Sequence, residues 1–210
     1  MLISGRGSNL AALISAAKVD RYPAEIALVL ADNPDAAGLV HARDAGISSL
    51  VVDRRRFATK AAFEAELNAK LGDAGIETVC LAGFMRLLSP EFVAAWCDRM
   101  INIHPSLLPL FPGLHTHERA LAAGVRVHGA TVHFVRPEMD TGPIIAQGVV
   151  PVQPGDTAET LAARVLAVEH RLYPLALKLA AGGRTRVVGN GVIIDGEILT
   201  PDSSLLSPAD

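Results

Sequence analysis

The sequence of 210 residues is half apolar and one fifth charged, which suits a single domain with a large hydrophobic core. Its net charge of −3 gives no broad basic surface for nucleic acid, and no stretch reaches the roughly 18 apolar residues that cross a bilayer. The two cysteines, Cys80 and Cys97, are far apart without a metal-binding spacing, which predicts a reducing compartment. Because the first residues do not resemble a signal peptide, we expect a cytoplasmic protein without nucleic-acid or membrane partners.

Strands and helices are predicted to alternate along the first hundred residues. Short apolar runs predict strands at residues 1–4, 25–30, 49–52, 76–82 and 100–103. Helical apolar spacing predicts helices at residues 9–17, 36–45, 59–71 and 90–96, with Gly46 ending the second and Ser89 capping the fourth. Apolar strands that alternate with helices indicate a parallel sheet covered on both faces. If the strands are ordered 3-2-1-4-5, the order reverses between strands one and four, where such folds bind ligands.

The second half of the sequence departs from this alternation. Residues 118–123 and 157–180 are predicted helices, with Asp156 as candidate cap of the long one, and residues 128–135 and 144–152 are predicted strands. Residues 184–188 and 191–194 are predicted to form a hairpin. We therefore predict a doubly wound α/β fold, mostly parallel, with a mixed, antiparallel C-terminal edge. The expected division is one domain at residues 1–183, a terminal hairpin extension at 184–200 and a frayed tail at 201–210.

The first signal for ligand binding is SGRGSNL, residues 4–10, called the glycine loop below. Gly5 and Gly7 let the backbone approach an anion, and the following helix directs its free N–H groups and positive end at it. Leu10 replaces the third glycine of a dinucleotide fingerprint, and the lysine of a Walker A loop is missing. The anion is therefore expected to be a single phosphate. The alternative is a plain strand–helix turn capped by Ser8.

The second signal is LAGFMRLLSP, residues 81–90, called the apolar loop below. It leaves the fourth strand through Gly83 and exposes the side chains of Phe84, Met85 and Leu87. In a doubly wound sheet this loop, the glycine loop and the fifth strand would surround one crevice. An apolar wall there suits a flat aromatic ligand. The alternative is a loop that only packs under the following helix.

The third signal is INIHPSLLPLFPGLHTH, residues 101–117, where polar and apolar residues alternate at the start. This period of two predicts a strand with Asn102 and His104 on the same side, and Pro105 favours an extended residue before it. An amide can donate to a developing oxyanion, and an imidazole can carry a proton near neutral pH. The alternative is an ordinary strand end with a turn-forming asparagine.

The fourth signal is MDTGP, residues 139–143, whose residue types are also typical of a plain turn. The functional interpretation places Asp140 beside His104, where a carboxylate would fix the imidazole and raise its pKa. The histidines at 104, 115, 117 and 133 leave a zinc site as an alternative, with His115 and His117 as two ligands. No matching cluster of acidic residues or cysteines supports that site, so we predict no metal.

In order and spacing, these four segments resemble the phosphoribosylglycinamide formyltransferase family, the folate-dependent transformylases of purine synthesis. The similarity runs from Met1 to about Gly183; NIHPSLLP is shared by the wider formyltransferase group, whereas GxGSN with PGLHTH is more specific. The resemblance implies a formyltransferase-like Rossmann variant that transfers the formyl group of 10-formyltetrahydrofolate, its co-substrate, to the amine of 5-phosphoribosylglycinamide. It implies small-molecule substrates and a monomer or homodimer.

The resemblance also implies roles for single residues. Asn102 would polarise the formyl oxygen, His104 would act as acid and base, and Asp140 would tune His104. The phosphate would be held by Gly7, Ser8 and Asn9, and the ribose by Glu169. The folate-binding residues would be Lys60, Met85, Arg86, Leu87, Leu88 and Asn102. Lys60 stands where the family often has arginine, so the positive charge is kept but the planar fork is lost.

Two other functions use the same residues. A formyltetrahydrofolate deformylase would combine the same Asn, His and Asp with water as acceptor, although the glycine loop counts against it. A non-catalytic module could keep the scaffold and bind a phosphorylated ligand or folate, since fold alone does not decide function. In no motif does a serine or cysteine stand next to a base, so we expect direct transfer without a covalent intermediate.

Overall fold

A computed structural model of the protein describes residues 1–195. The strands in that range are β1 (Leu2–Ile3), β2 (Leu28–Ala31), β3 (Ser48–Val51), β4 (Val79–Leu81), β5 (Met100–His104), β6 (Val127–Phe134), β7 (Ile144–Pro151), β8 (Thr185–Val188) and β9 (Gly191–Ile194). The α-helices are α1 (Ser8–Ala17), α2 (Leu39–Asp44), α3 (Lys60–Asp73), α4 (Pro90–Ala95), α5 (Thr116–Ala122) and α6 (Ala158–Ala181). A 3₁₀ turn at Arg54–Arg56, which the sequence did not predict, precedes α3.

Seven strands form the main sheet in the order β3-β2-β1-β4-β5-β6-β7. The pairs from β3 to β5 are parallel, whereas β6 pairs antiparallel with β5 and with β7. The predicted fold class and the mixed edge are therefore confirmed, and the first five strands have the order on which the expected position of the ligand site depended. The reversal between β1 and β4 opens a crevice at the carboxyl ends of the strands.

The core lies on both faces of this sheet because neighbouring residues of each buried strand point in opposite directions. Ile3 and Ile101 belong to the layer that packs against α1 and α6. Leu2 and Met100 belong to the layer that packs against α3 and α4, where Phe63 contributes a fully buried ring. Burial on both faces explains why these strands read as continuous apolar runs.

Helix α6 begins with a capping box and not with the predicted Asp156 cap. The N-cap is Thr157, whose side chain accepts from the Thr160 backbone N–H at 3.3 Å, while the Thr160 hydroxyl accepts from Thr157 N at 2.9 Å. Asp156 instead accepts from Arg164, with Nη1 to Oδ2 at 2.8 Å. The prediction was wrong because two consecutive side chains, those of Asp156 and Thr157, could cap the helix, and the Asp156 carboxylate binds Arg164 instead. Ser89 does cap α4, accepting from Phe92 N at 3.1 Å.

Three other predicted elements begin three residues later than the pattern indicated; one is β4, which begins at Val79 and not at residue 76. Strand β2 begins at Leu28, where its pairing with Ser48 of β3 begins, and residues 25–27 lie outside this ladder. Helix α2 begins at Leu39, because residues 36–38 form turn hydrogen bonds before the helix. Gly46 follows the end of α2 with a positive φ of 69°, as predicted for a helix terminator.

The hairpin of β8 and β9 forms a separate two-stranded sheet. Val187, Val192 and Ile194 pack against the core layer below α6. The predicted tail at residues 201–210 and the end of the predicted extension lie outside the described residues. Within residues 1–195, no helix combines the length and the apolar character needed to cross a membrane.

Candidate active site

Four segments converge at the carboxyl ends of β1, β4 and β5. The glycine loop follows β1, the apolar loop follows β4, and Asn102 and His104 lie on β5. Backbone hydrogen bonds to side chains join these segments: Met85 N donates to Ser4 Oγ at 2.9 Å, and Gly113 N donates to Asp140 Oδ2 at 2.8 Å. The structure thus brings the sequence signals to one edge of the sheet.

His104 and Asp140 face each other in a nearly buried environment. His104 Nδ1 lies 3.5 Å from Asp140 Oδ2, and the two side chains are 8% and 10% exposed. His104 Nε2 lies 3.0 Å from the backbone oxygen of Phe111. Both ring nitrogens therefore face an oxygen acceptor, and only the doubly protonated ring can donate to both. The predicted proximity of Asp140 and His104 is what the structure shows.

Asn102 is oriented by a histidine that sequence reasoning considered only as a metal ligand. Its Nδ2 lies 3.3 Å from His133 Nε2, and His133 Nδ1 lies 3.0 Å from the backbone oxygen of Phe134. Burial lowers the pKa of His133, with smaller opposing contributions from the Phe134 carbonyl and from Asp140. A neutral ring that donates through Nδ1 accepts the Asn102 amide through Nε2. The register of β5 with β6, which pairs Asn102 with His133, creates this contact.

The glycine loop begins α1 without a side-chain cap. Gly7 is the N-cap residue at φ 75°, and a Cβ there would lie 2.5 Å from the Cα of Gly38. Ser8 is the first residue of the helix and does not cap it, so the capped-turn alternative does not form. The first N–H groups of α1 therefore have no side-chain cap, the condition that the predicted anion site needs.

Asn9 connects the glycine loop to Glu169 on α6. Its Nδ2 donates to Glu169 Oε2 at 2.7 Å, while the buried Oδ1 has no hydrogen-bond partner within residues 1–195. Burial raises the pKa of Glu169, and the hydrogen bond from Asn9 opposes that shift. Asn9 is the second residue of α1, so its backbone N–H has no partner within the helix. The predicted ribose residue thus lies beside the predicted phosphate residues.

The apolar loop presents two large side chains to the crevice edge: Met85 and Leu87 are each 67% exposed. Leu88 is half-buried against the core. Arg86 forms an ion pair with Asp32, with Nε 2.6 Å from Oδ2. Lys60, at the start of α3, lies near the C-terminal end of the apolar loop. It lines a cavity of about 420 Å³ there with Ser89 and Phe92.

The remaining histidines do not assemble a metal site. His115 is exposed, with Nδ1 3.5 Å from Glu118 Oε1, and His117 packs edge-on against the His128 ring at 5.3 Å. Across the described part of the chain, no group of three or more His, Cys, Asp or Glu residues is arranged to hold a metal ion.

Several known proteins are similar to this chain over most of its length. The family model described as formyl transferase matches residues 1–177. The phosphoribosylglycinamide formyltransferase of Escherichia coli (strain K12) is 44% identical over 201 residues, covering 96% of this chain and 95% of that protein. The structure of glycinamide ribonucleotide transformylase 1 from Symbiobacterium toebii has a TM-score of 0.89 at 48% identity, covering 92% and 91% of the two chains. That of phosphoribosylglycinamide formyltransferase from Brucella melitensis has a TM-score of 0.84 at 56% identity, covering 89% and 95%.

Proposed function

The chain belongs to the formyl transferase family, and from this premise we propose that Asn102, His104 and Asp140 carry out its chemistry. The reaction is the transfer of the formyl group of 10-formyltetrahydrofolate to the amine of phosphoribosylglycinamide, a step of purine biosynthesis. The observation that carries the proposed catalytic roles is the 3.5 Å approach of the His104 ring to the Asp140 carboxylate.

The amine attacks the formyl carbon directly, and the folate nitrogen leaves. The Asn102 amide and the protonated His104 donate hydrogen bonds to the oxygen that becomes negative in the tetrahedral intermediate. When the intermediate collapses, the C–N bond to the folate breaks and that nitrogen gains a proton, while the attacking amine loses one. The protons balance, so His104 can deliver one proton and regain another, and Asp140 stabilises the charged ring throughout.

The substrate is held on the side of β1. The backbone N–H groups at Gly7, Ser8 and Asn9 bind its phosphate, and Glu169 accepts from its ribose hydroxyls. Two observations support this arrangement: the first turn of α1 has no side-chain cap, and Glu169 is only 7% exposed although it can accept hydrogen bonds. The vacant Oδ1 of Asn9 is a second acceptor for a hydroxyl in the same place.

The folate is held on the side of β4. Its flat ring system packs along the apolar loop, with the exposed Met85 and Leu87 on one side and the Asn102 amide on the other. The backbone of residues 85–88 supplies polar contacts, and Lys60 supplies a positive charge for the acidic end of the co-substrate. The apolar side chains at the crevice edge support this placement.

We also propose a cellular location, an oligomeric state and a domain division for the protein. We assign a cytoplasmic location, which the unpaired Cys80 and Cys97 support. We propose a monomer or homodimer, and a single domain over residues 1–183 with the β8–β9 hairpin as an extension of it.

The purified protein is incubated with 10-formyltetrahydrofolate, with and without phosphoribosylglycinamide, and both formate and the formylated amine are measured. We expect the formylated amine in the complete reaction and little formate in either. Formate release that does not need the amine would identify a deformylase. Binding of either substrate without turnover would identify a non-catalytic module.

A further inference from the structure

Arg86 in the apolar loop is held by a carboxylate from a different strand. Its Nε lies 2.6 Å from Oδ2 of Asp32, which directly follows β2. The Asp32 side chain is 2% exposed, whereas that of Arg86 is 44% exposed. The carboxylate therefore belongs to the interior of the sheet edge, and the arginine reaches it from the surface loop.

This ion pair spans the end of β1, because β1 lies between β2 and β4 in the sheet. Ser4, at that end, accepts from both sides: its Oγ from Met85 N at 2.9 Å and its backbone oxygen from Asn33 Nδ2 at 2.8 Å. One connected set of polar contacts thus joins Asp32, Asn33 and Ser4 to the apolar loop. Ser4 is also the first residue of the glycine loop.

Asp32 depends on Arg86 for compensation of its charge. The only other side-chain contact recorded for the carboxylate in residues 1–195 is a long one, with Asn33 Nδ2 at 3.5 Å from Oδ1. A buried charge is tolerated when it is paired and hydrogen-bonded, and removing one partner is costly. Arg86 is consequently held towards the sheet, and its neighbours Met85 and Leu87 remain at the surface.

We propose that Asp32 is a positioning residue for the folate co-substrate: through Arg86 it fixes the conformation in which the apolar loop receives the pterin. This inference rests on the proposed function, because the apolar loop is the folate side of the site. Asp32 itself touches no reacting group. Its loss weakens folate binding and leaves the phosphate side of the site intact.

The test is Asp32→Asn, which keeps the shape of the side chain and removes its charge. We expect the KM for 10-formyltetrahydrofolate to rise roughly 5- to 10-fold, since a charged hydrogen bond is replaced by a weaker neutral one. The KM for phosphoribosylglycinamide and kcat should change less than about twofold. A merely structural role would lower the amount of active enzyme without this separation of the two KM values.

Asp53→Asn is the matched control. Asp53 follows β3, the next strand outward, and pairs with Arg55 at 2.9 Å, a contact that does not reach the apolar loop. Both KM values should stay at the wild-type level in this variant. The double variant Asp32→Asn/Arg86→Gln removes both charges and leaves no buried ion, so it carries the test if the single variant does not fold.

The double variant should have the folate KM of Asp32→Asn, because Asp32 acts through Arg86 and losing the ion pair once or from both sides releases the apolar loop alike. A further rise of fivefold or more in the double variant would show that Arg86 binds the folate itself and would overturn the proposal. So would a folate KM within twofold of wild type in either variant, or an equal rise in both KM values. Failure of the proposed function is distinguishable, because the wild-type protein would then show no transfer at all.

Discussion

His104 is placed so that protonation completes its hydrogen bonding. One ring nitrogen faces the Asp140 carboxylate at 3.5 Å and the other faces the Phe111 carbonyl at 3.0 Å. Asp140 has a positive φ of 57°, and its carboxylate also accepts from Gly113 N at 2.8 Å, so a backbone N–H holds the carboxylate next to His104. Donation to the substrate oxygen therefore requires His104 Nε2 to exchange the Phe111 carbonyl for that oxygen, while Asp140 keeps the other ring nitrogen in place.

Replacement of either partner should therefore lower kcat. We expect His104→Ala and Asp140→Asn each to lower kcat roughly 100-fold or more, the scale of a lost acid–base group. Steady-state kinetics with saturating co-substrate measures the effect. His115→Asn is the control, since the side chain of His115, the N-cap residue of α5, is exposed and asparagine tolerates its left-handed backbone conformation. Near-normal turnover in His104→Ala would refute the assigned role.

The His133 ring orients the amide of Asn102, and its replacement tests that role. Its neutral ring accepts from the Asn102 amide at 3.3 Å, so His133→Leu removes the acceptor that orients Asn102. We expect kcat to fall roughly 10-fold, as for a positioning hydrogen bond worth about 1.4 kcal/mol, with little change in either KM. His133→Asn, which retains a polar group at the position, should recover part of the loss. A variant that lowers only the amount of folded protein would contradict the orienting role.

At this scale the sequence predicted residues that stand inside motifs and missed those defined by pairing between strands. Asn102 and His104 share one side of a strand by the period of two, which is readable from the sequence alone. The contact of Asn102 with His133 requires the β5–β6 register, and the link from Asn9 to Glu169 joins residues 160 positions apart. No local pattern contains that information.

Elements were predicted where apolar periodicity is uninterrupted, and their ends were predicted less well. The 24 residues of α6 have a clear apolar stripe, but which side chain caps the helix was decided by Arg164, which binds Asp156. The start of β2 was misplaced because residues 25–27 continue its apolar pattern beyond the length that β3 can pair. Where a helix or strand ends depends on the element that packs or pairs with it. The apolar periodicity of its own sequence carries no information about that neighbouring element.

Strand β6 carries an acid-sensitive residue. Burial, with a smaller contribution from the charge of the neighbouring His117, lowers the pKa of His128 to about 4, against an opposing contribution from the Pro105 backbone. The His128 side chain is 1% exposed and packs between the rings of Phe111 and His117. Between the unfolded pKa of 6.5 and the folded pKa of about 4, the unfolded chain binds the proton and the folded protein does not. Stability is therefore expected to fall as the pH decreases through this window.

We expect the wild type to lose about 2 kcal/mol more than His128→Phe between pH 7 and pH 5. Phenylalanine keeps a ring at this site and cannot take up the proton. Urea unfolding of both proteins at the two pH values measures the difference, with His115→Asn expected to behave as wild type. An equal loss of stability in wild type and His128→Phe would show that other groups cause the acid sensitivity.

For the molecule as a whole, the alternation of strands and helices was enough to predict a mostly parallel sheet, whereas the strand order that places the crevice entered only as a condition. That inference succeeds because right-handed crossovers leave few ways to arrange parallel strands between two layers of helices. The antiparallel return of β6 and β7 was expected only as a mixed edge, since the alternating pattern of β6 does not specify its partner. The candidate active site combines the parallel and the antiparallel part of the sheet. Strand β5 contributes Asn102 and His104, and the segment after β6 contributes Asp140.

Tyr173 joins the long helix to the centre of this sheet and carries the last prediction. Its fully buried hydroxyl donates to the Leu81 carbonyl at 2.9 Å and lies 3.2 Å from the Ile101 carbonyl, so it links α6 to β4 and β5. Tyr173→Phe should lower the free energy of unfolding by about 1–2 kcal/mol, because a buried carbonyl loses its donor. The corresponding fall in Tm is roughly 2–8 °C for a chain of this size. Since the hydroxyl does not reach the crevice, kcat should stay within about twofold of wild type. Tyr22→Phe, which removes a part-buried hydrogen bond to the Pro174 carbonyl at 2.8 Å, is the matched control and should cost less. A loss of activity in Tyr173→Phe without loss of stability would mean that this residue acts on the site and not on the junction of helix and sheet.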